Sequence, residues 1–267
     1  MTATTKTATR VRHALKFRRA TVRAVQHIAP HMLRVTFAGE DFRDFSSASF
    51  DDHVKVFFPA AGQADLVLPQ MGDNGLVWPE GVARPSARDY TPRRFDQAAG
   101  ELVIDFALHG EGPAAEWAAQ AAVGQVLGIG GPRGSLVIPQ DFAWYALFAD
   151  ETGLPAVGRF LAEAQPGTGV TVFAEVASAA EQIELPALAG AQIHWLHRGD
   201  ALPGSVLVTA AQTLALEGDG YVWAAGESAS MQTLRAALVA RGLDKSRIRA
   251  AAYWKHDAVA YHANLDD

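Results

Sequence analysis

The sequence predicts two domains of different class, an antiparallel β-barrel followed by a parallel-sheet α/β domain, and two patterns carry that expectation. From about Ala20 to Ile138 the apolar residues come in short runs, among them Met32 to Phe37, His53 to Phe58, Glu101 to Leu108 and Gln125 to Ile129, separated by Gly, Pro and Asp. Short strands at such spacing build antiparallel sheets and barrels. Beyond Ala143 buried strand patterns (Ala143 to Ala149, Val170 to Val176, Ile193 to Leu196, Tyr221 to Ala225) alternate with helical ones (Pro155 to Ala164, Met231 to Arg241). That alternation requires crossover helices between parallel strands. Pro139, Gln140 and Asp141 break the pattern, so the expected division is 16–140 and 141–267.

Residues 1–15 are expected to be a disordered basic arm. Lys6, Arg10, Arg12, Lys16, Arg18, Arg19 and Arg23 all precede the first acidic residue, Glu40, and no apolar stretch of signal-peptide type comes before them. The stretch from Pro69 to Pro85 is rich in Gly and Pro and reads as a mobile surface loop.

Composition excludes several classes of function. With 49% apolar and 19% charged residues the chain can bury full cores, and no apolar run is long enough to span a bilayer. A formal charge of -6 argues against a general nucleic-acid binder, which needs a basic face. The absence of cysteine removes disulfides, thiolate metal sites, cysteine nucleophiles and cysteine-ligated iron–sulfur clusters. Electrons passing through this chain would have to be carried by a bound organic cofactor. A cytoplasmic protein is the expectation.

Two segments carry chemistry. In Arg88-Asp89-Tyr90-Thr91-Pro92-Arg93 an aromatic ring and a hydroxyl follow an arginine, a set able to stack on a flat heterocycle, bond its edge and hold a phosphate. An edge strand with a proline bulge, solvated arginines and a core tyrosine is the other reading. In His109-Gly110-Glu111-Gly112-Pro113-Ala114, followed by an alanine-rich stretch containing Trp117, the glycines permit close backbone approach and Pro113 suits a first helical position. Such a turn can present N–H groups to a diphosphate, or simply start a helix.

In this order the two segments resemble the siderophore-interacting proteins, ferredoxin-reductase-like flavoenzymes that reduce ferric siderophores. Arg88, Tyr90, Thr91 and Arg93 match the family's flavin signature, and His109, Gly110, Gly112, Pro113, Ala114, Trp117 and Ala118 match its second element. Further matches run through HVKVFFP at 53–59, GGPRGS at 130–135, ADETGLPA at 149–156, AGES at 225–228 and Tyr253-Trp254-Lys255.

The resemblance implies an FAD-binding barrel and a nicotinamide-binding α/β domain. FAD would be held by Arg88, Tyr90, Thr91 and the backbone at Gly112 to Ala114. Asp150, Glu151 and Thr152 would contact the nicotinamide nucleotide, with Gly226 and Glu227 beside them; their position after a parallel strand agrees with ligand placement in open α/β sheets, although a plain turn capped by Thr152 is the alternative. Tyr253 and Trp254 join the cofactor contacts, and Lys55, Arg133 and Lys255 would form a basic pocket for an anionic ferric chelate. The implied activity is electron transfer from NADPH or NADH through FAD to siderophore-bound Fe(III), with no acid–base residue.

Two other functions remain to be weighed at this point, a general flavin or ferredoxin-type reductase and a non-redox binder of iron chelates. A ferredoxin donor is also open. Glu175 and Arg198 are candidates for distinguishing NADH from NADPH. No spacing among Asp51, Asp52, His53, His256, Asp257 and His262 matches a metal pattern, and Gly226 to Ser230 lacks the last glycine of a nucleophile elbow.

Overall fold

The computed structural model describes residues 6–59, 66–73, 75–108, 112–256, 258 and 262–265. The chain divides into two compact units, Arg10–Val137 and Met1–Thr9 with Ile138–Asp267.

The first unit begins with β1 (Thr9–Arg12), β2 (Phe17–Ala29), β3 (Met32–Ala38) and β4 (Val54–Phe58). A hairpin of β5 (Gln70–Gly72) and β6 (Gly75–Val77) follows, then β7 (Ser86–Tyr90), β8 (Arg94–Asp96), β9 (Glu101–Ala107), α1 (Pro113–Ala118), β10 (Val126–Gly130) and β11 (Gly134–Val137). Seven strands form one antiparallel sheet in the order β7-β4-β10-β2-β3-β9-β8.

That sheet is curled. In a flat sheet β7 and β9 would lie five strand spacings apart, roughly 24 Å, yet the rings of Tyr90 and Phe106 meet at 4.5 Å. Alternate residues fill the enclosed core: Ala20 and Val22, Val35 and Phe37, Val54, Val56 and Phe58, Leu102, Ile104 and Phe106, Leu127 and Ile129. Trp117 of α1 packs on Phe37, Phe58 and Phe106.

The second unit contains β12 (Trp144–Ala149), α2 (Leu154–Glu163), β13 (Val170–Val176), β14 (Gln192–His197), α3 (Ser205–Thr213), β15 (Gly220–Glu227), α4 (Ser228–Ala240), β16 (Ile248–Trp254) and β17 (Ala263–Asn264). Its sheet runs β14-β13-β12-β15-β16-β17; the first five strands are parallel and β17 is antiparallel. This is the doubly wound order, reversing between β12 and β15. On β12, Ala146 and Phe148 share a core with Leu207, Ala211, Met231, Leu234 and Leu238 of α3 and α4. Tyr145 points the other way, onto Phe160 of α2. Helices therefore cover both faces; β12 reaches α2 through the short turn 150–153, and β15 passes directly into α4.

Three expectations need correction. The arm is not disordered through residue 15: β1 pairs with β11, the His13 N–H donates to the Arg133 carbonyl at 3.0 Å, and the Lys6 ammonium meets Asp219 at 2.6 Å and the Phe142 ring at 4.9 Å. Its composition gave no sign of this because its partners lie more than a hundred residues further along the chain. The division falls after Val137, three residues before the expected point. Phe142 already packs edge-on against Tyr145 and at a tilt against Tyr221, and the Pro139 carbonyl accepts from the Tyr145 hydroxyl at 2.6 Å. Finally, Gln70–Gly72 pairs antiparallel with Gly75–Val77 within the stretch expected to be a loop.

Candidate functional site

The flavin segment lies at the end of β7. Strand pairing stops at Tyr90 because Pro92 has no N–H to continue a ladder. The chain then turns so that the Arg93 N–H donates to Val103 at 2.9 Å. Arg88 and Tyr90 are two apart and share a face of β7, while Asp89 faces the opposite way and pairs with Lys55 of β4 at 2.8 Å.

Tyr90 is set between Phe58 and Phe106, and burial pushes its phenol well above the usual range. Its hydroxyl makes no hydrogen bond among the described residues. The Arg88 guanidinium has one contact there, donating to the Ala87 carbonyl at 2.8 Å. Thr91 is buried. Gly112 has φ 121, a left-handed conformation that favours glycine, and a Cβ there would meet nothing within 4 Å. Pro113 opens α1 directly after it. An unsatisfied ring hydroxyl, an arginine with donors to spare and an open glycine turn together suit a flavin bearing a diphosphate.

Other members of the set serve the scaffold. Arg93 approaches the fully buried carboxylate of Asp105 at 4.0 Å, which Arg34 grips at 2.7 and 2.8 Å. Trp117 is a core ring, stacked on Phe37 at 6.3 Å. His109 and Gly110 lie outside the described residues.

Arg133 occupies an exposed turn whose backbone is held on several sides. Gly131 N donates to Lys16 O at 3.1 Å, Arg18 donates to Gly131 O at 3.0 Å, and His13 N bonds Arg133 O. Below the turn, the Ser135 hydroxyl donates to Asp52 at 2.6 Å and lies 2.7 Å from His13 Nε2. Ser47 also donates to Asp52, at 2.6 Å. The Arg133 side chain is left without a partner among the described residues. Sequence reasoning missed this network, since its members are scattered over more than a hundred residues.

In the second unit the ends of β12, β15 and β16 bring Asp150, Thr152, Gly226, Glu227 and Trp254 together. Asp150 is buried, and both of its oxygens are occupied. Oδ1 accepts from Thr152 N at 2.9 Å and Thr152 Oγ1 at 2.6 Å; Oδ2 accepts from Glu227 N at 3.0 Å and Trp254 Nε1 at 2.8 Å. Gly226 is required beside it, because a Cβ there would stand 2.6 Å from Asp150 Oδ2. Glu227 caps α4 by accepting from Ser230 N at 3.0 Å and also accepts from His256 N at 3.4 Å. These carboxylates lie at the carboxyl ends of the strands that flank the sheet's switch point, where open α/β sheets place ligands. Tyr253 packs edge-on against Trp223, and Lys255 follows β16 on the surface.

A second acidic cluster lies at the ends of β13 and β14. Glu151 accepts from Ala177 N at 3.0 Å and from Arg198 Nη1 at 2.6 Å. Glu175 is wholly buried, accepts from Gly204 N at 2.6 Å and lies 3.7 Å from Arg198. Burial raises its carboxyl to about 7, against the pull of the Gly204 N–H. Gly204 stands at the start of α3, a helix the sequence pattern did not reveal.

Comparison with known proteins bears on both units. A siderophore-interacting FAD-binding domain model matches residues 21–136, and a siderophore-interacting protein model matches residues 142–257. An Escherichia coli protein named NADPH-dependent ferric-chelate reductase is 40% identical over 248 residues, covering 92% of this chain and 95% of its own. The ferric vibriobactin reductase ViuB of Vibrio cholerae is 32% identical, covering 89% of each. The crystal structure of a siderophore utilization protein from T. fusca superposes with a TM-score of 0.87 at 39% identity, over 95% of this chain and 98% of that one. With family models matching both units in order and a relative 40% identical over 92% of this chain, the chain belongs to the siderophore-interacting protein family.

Proposed function

We propose that this protein is an FAD-dependent ferric-siderophore reductase that takes electrons from NADPH and delivers them to chelated Fe(III), releasing Fe(II). The observation that carries the reading is the pairing, in one chain, of an unsatisfied Tyr90–Arg88 face beside an open Gly112 turn with a doubly wound nucleotide sheet. The 40% identity to a protein named NADPH-dependent ferric-chelate reductase supports donor and substrate class alike.

Flavin, when bound, supplies the conversion of an electron pair into single electrons. The chain's residues bind and orient. The Tyr90 hydroxyl and Arg88 guanidinium hold the ring edge and a phosphate, and backbone N–H groups following Gly112 take the diphosphate. Within the first unit Arg133 supplies positive potential toward an anionic chelate, with Lys55, already paired with Asp89, contributing less. Asp150 and Glu227 shape the nucleotide crevice through the backbone they hold, while Arg198 offers donors to a nucleotide phosphate. No residue has to move a proton at the iron. The reaction is assigned to the cytoplasm, where NADPH is supplied.

The absorption spectrum of the purified protein tests this without oxygen present. A flavin spectrum that bleaches with NADPH and returns with a ferric siderophore, with ferrous iron trapped by a chelator, is the expected result. A protein that neither contains nor takes up FAD would overturn the reading in favour of chelate binding alone. Bleaching by reduced ferredoxin but not by NADPH or NADH would replace the donor.

A further inference from the structure

The Glu175–Arg198 cluster is not used by the electron-transfer reading beyond the phosphate donors of Arg198, yet its geometry is unusual. In doubly wound sheets the end of the second strand is where a nucleotide's adenosine ribose falls; a carboxylate there accepts from a 2′-hydroxyl, and an arginine nearby receives a 2′-phosphate. Here β13 is that second strand and Glu175 stands at its end, but the carboxylate is withdrawn. It is fully buried, one oxygen takes the Gly204 N–H at 2.6 Å, and the other has no hydrogen-bond partner among the described residues.

Arg198 is the group that reaches the surface. Its backbone N–H is tied to Val176 O at 3.0 Å, and Nη1 is paired with Glu151 at 2.6 Å. Nε and Nη2 make no hydrogen bond among the described residues, so one edge of the guanidinium fork is left for an anion. The charged groups facing Glu175 are Asp150 and Glu151 from the end of β12 and Arg198 from the end of β14. α3 contributes only its first N–H groups, since Ser205–Thr213 carries no charge.

We propose that Glu175 is a positioning residue that acts through Arg198 to set how strongly the site prefers a nucleotide bearing a 2′-phosphate. Ionised, Glu175 competes with the ligand for Arg198 and adds a third negative charge to Asp150 and Glu151. Protonated, it leaves Arg198 paired with Glu151 alone and removes a repulsion from the incoming dianion. Burial brings this change into the neutral range, at about 7. The inference rests on the reading that a nicotinamide nucleotide binds at this sheet.

Calorimetric binding of adenosine 2′,5′-bisphosphate and of 5′-AMP to the holoprotein separates the two claims. Between about pH 6 and about pH 8 the wild-type preference for the bisphosphate, taken relative to that of Glu175→Gln, should fall about tenfold, the size expected of one added charge a few ångströms away at a screened surface. The 2′-phosphate itself gains charge above about pH 6, which drives the preference the other way. Glu175→Gln keeps an acceptor for the Gly204 N–H and should lose the fall, showing only the rise that the phosphate's own ionisation brings. Because the two effects oppose each other, the difference between the two pH profiles is the readout, and a Glu175→Gln profile that matches wild type overturns the inference. Failure of both fragments to bind would overturn the nucleotide reading and this inference together.

Discussion

The two regions proposed to bear cofactors were marked in the sequence by the same sign, polar residues at a strand end, and they use those residues in opposite ways. At the end of β7 the polar groups keep bonding capacity: among the described residues the Tyr90 hydroxyl makes no hydrogen bond and Arg88 has a single contact, to the Ala87 carbonyl. At the ends of β12 and β15 the capacity is spent, since Asp150 accepts four hydrogen bonds and Glu227 two. Counting bonds already made separates a ligand-binding group from one that builds the floor beneath a ligand. It also explains why the second unit needs Gly226, whose missing Cβ makes room for the Asp150 carboxylate.

The comparison is broken most severely at Asp150. Asp150→Ala would strand four donors around a buried hole, and a loss of about 4 kcal/mol is expected, read as a large drop in the thermal midpoint. If Asp150→Ala instead unfolded like wild type and only lost nucleotide affinity, the carboxylate would be a ligand group after all.

Next in size is a pH effect from Glu175. Its folded value lies near 7 against an ordinary 4.5, so the folded state keeps a proton that the unfolded chain releases between those values. Stability should therefore fall as pH rises through that window, by up to about 3 kcal/mol, and level off above it. Denaturant titrations of wild type and Glu175→Gln at pH 5 and 8 measure this, and the variant should lose the difference.

At the flavin segment, Arg88→Ala is expected to weaken FAD retention about thirtyfold while leaving the thermal midpoint of the flavin-free protein nearly unchanged, because only one backbone contact is lost. The smallest effect belongs to Arg133→Ala. Flavin content should be unchanged, and kcat/KM for an anionic ferric chelate should fall about tenfold at low salt and less at high salt, as a steering charge requires. A flavin loss equal to that of Arg88→Ala would remove the division between the two sites.

Much of the fold was legible because strand periodicity is local. Val170–Val176 matches its sequence pattern end to end, and β3, β4, β9, β10 and β12 lie within a residue of theirs. The misses have local causes too. α3, Ser205–Thr213, is interrupted by the β-branched Val206, Val208, Thr209 and Thr213 and has no charged face, so its helical period is faint. β2, Phe17–Ala29, is thick with arginine, and Arg18 is buried there only because Asp44 and the carbonyls of Asp41 and Gly131 receive its guanidinium.

By itself the sequence determined the two domain classes, the absence of thiol chemistry and the segments proposed to contact the cofactors, because composition, period and motif are properties of neighbours along the chain. Only the tertiary structure decided which of those polar groups are spent and which are available. Asp150 finds Trp254, Ser135 finds His13 and Arg198 finds Glu151 across 104, 122 and 47 residues. Hydrogen-bond satisfaction is settled by what folding brings to each atom, and no local pattern encodes it.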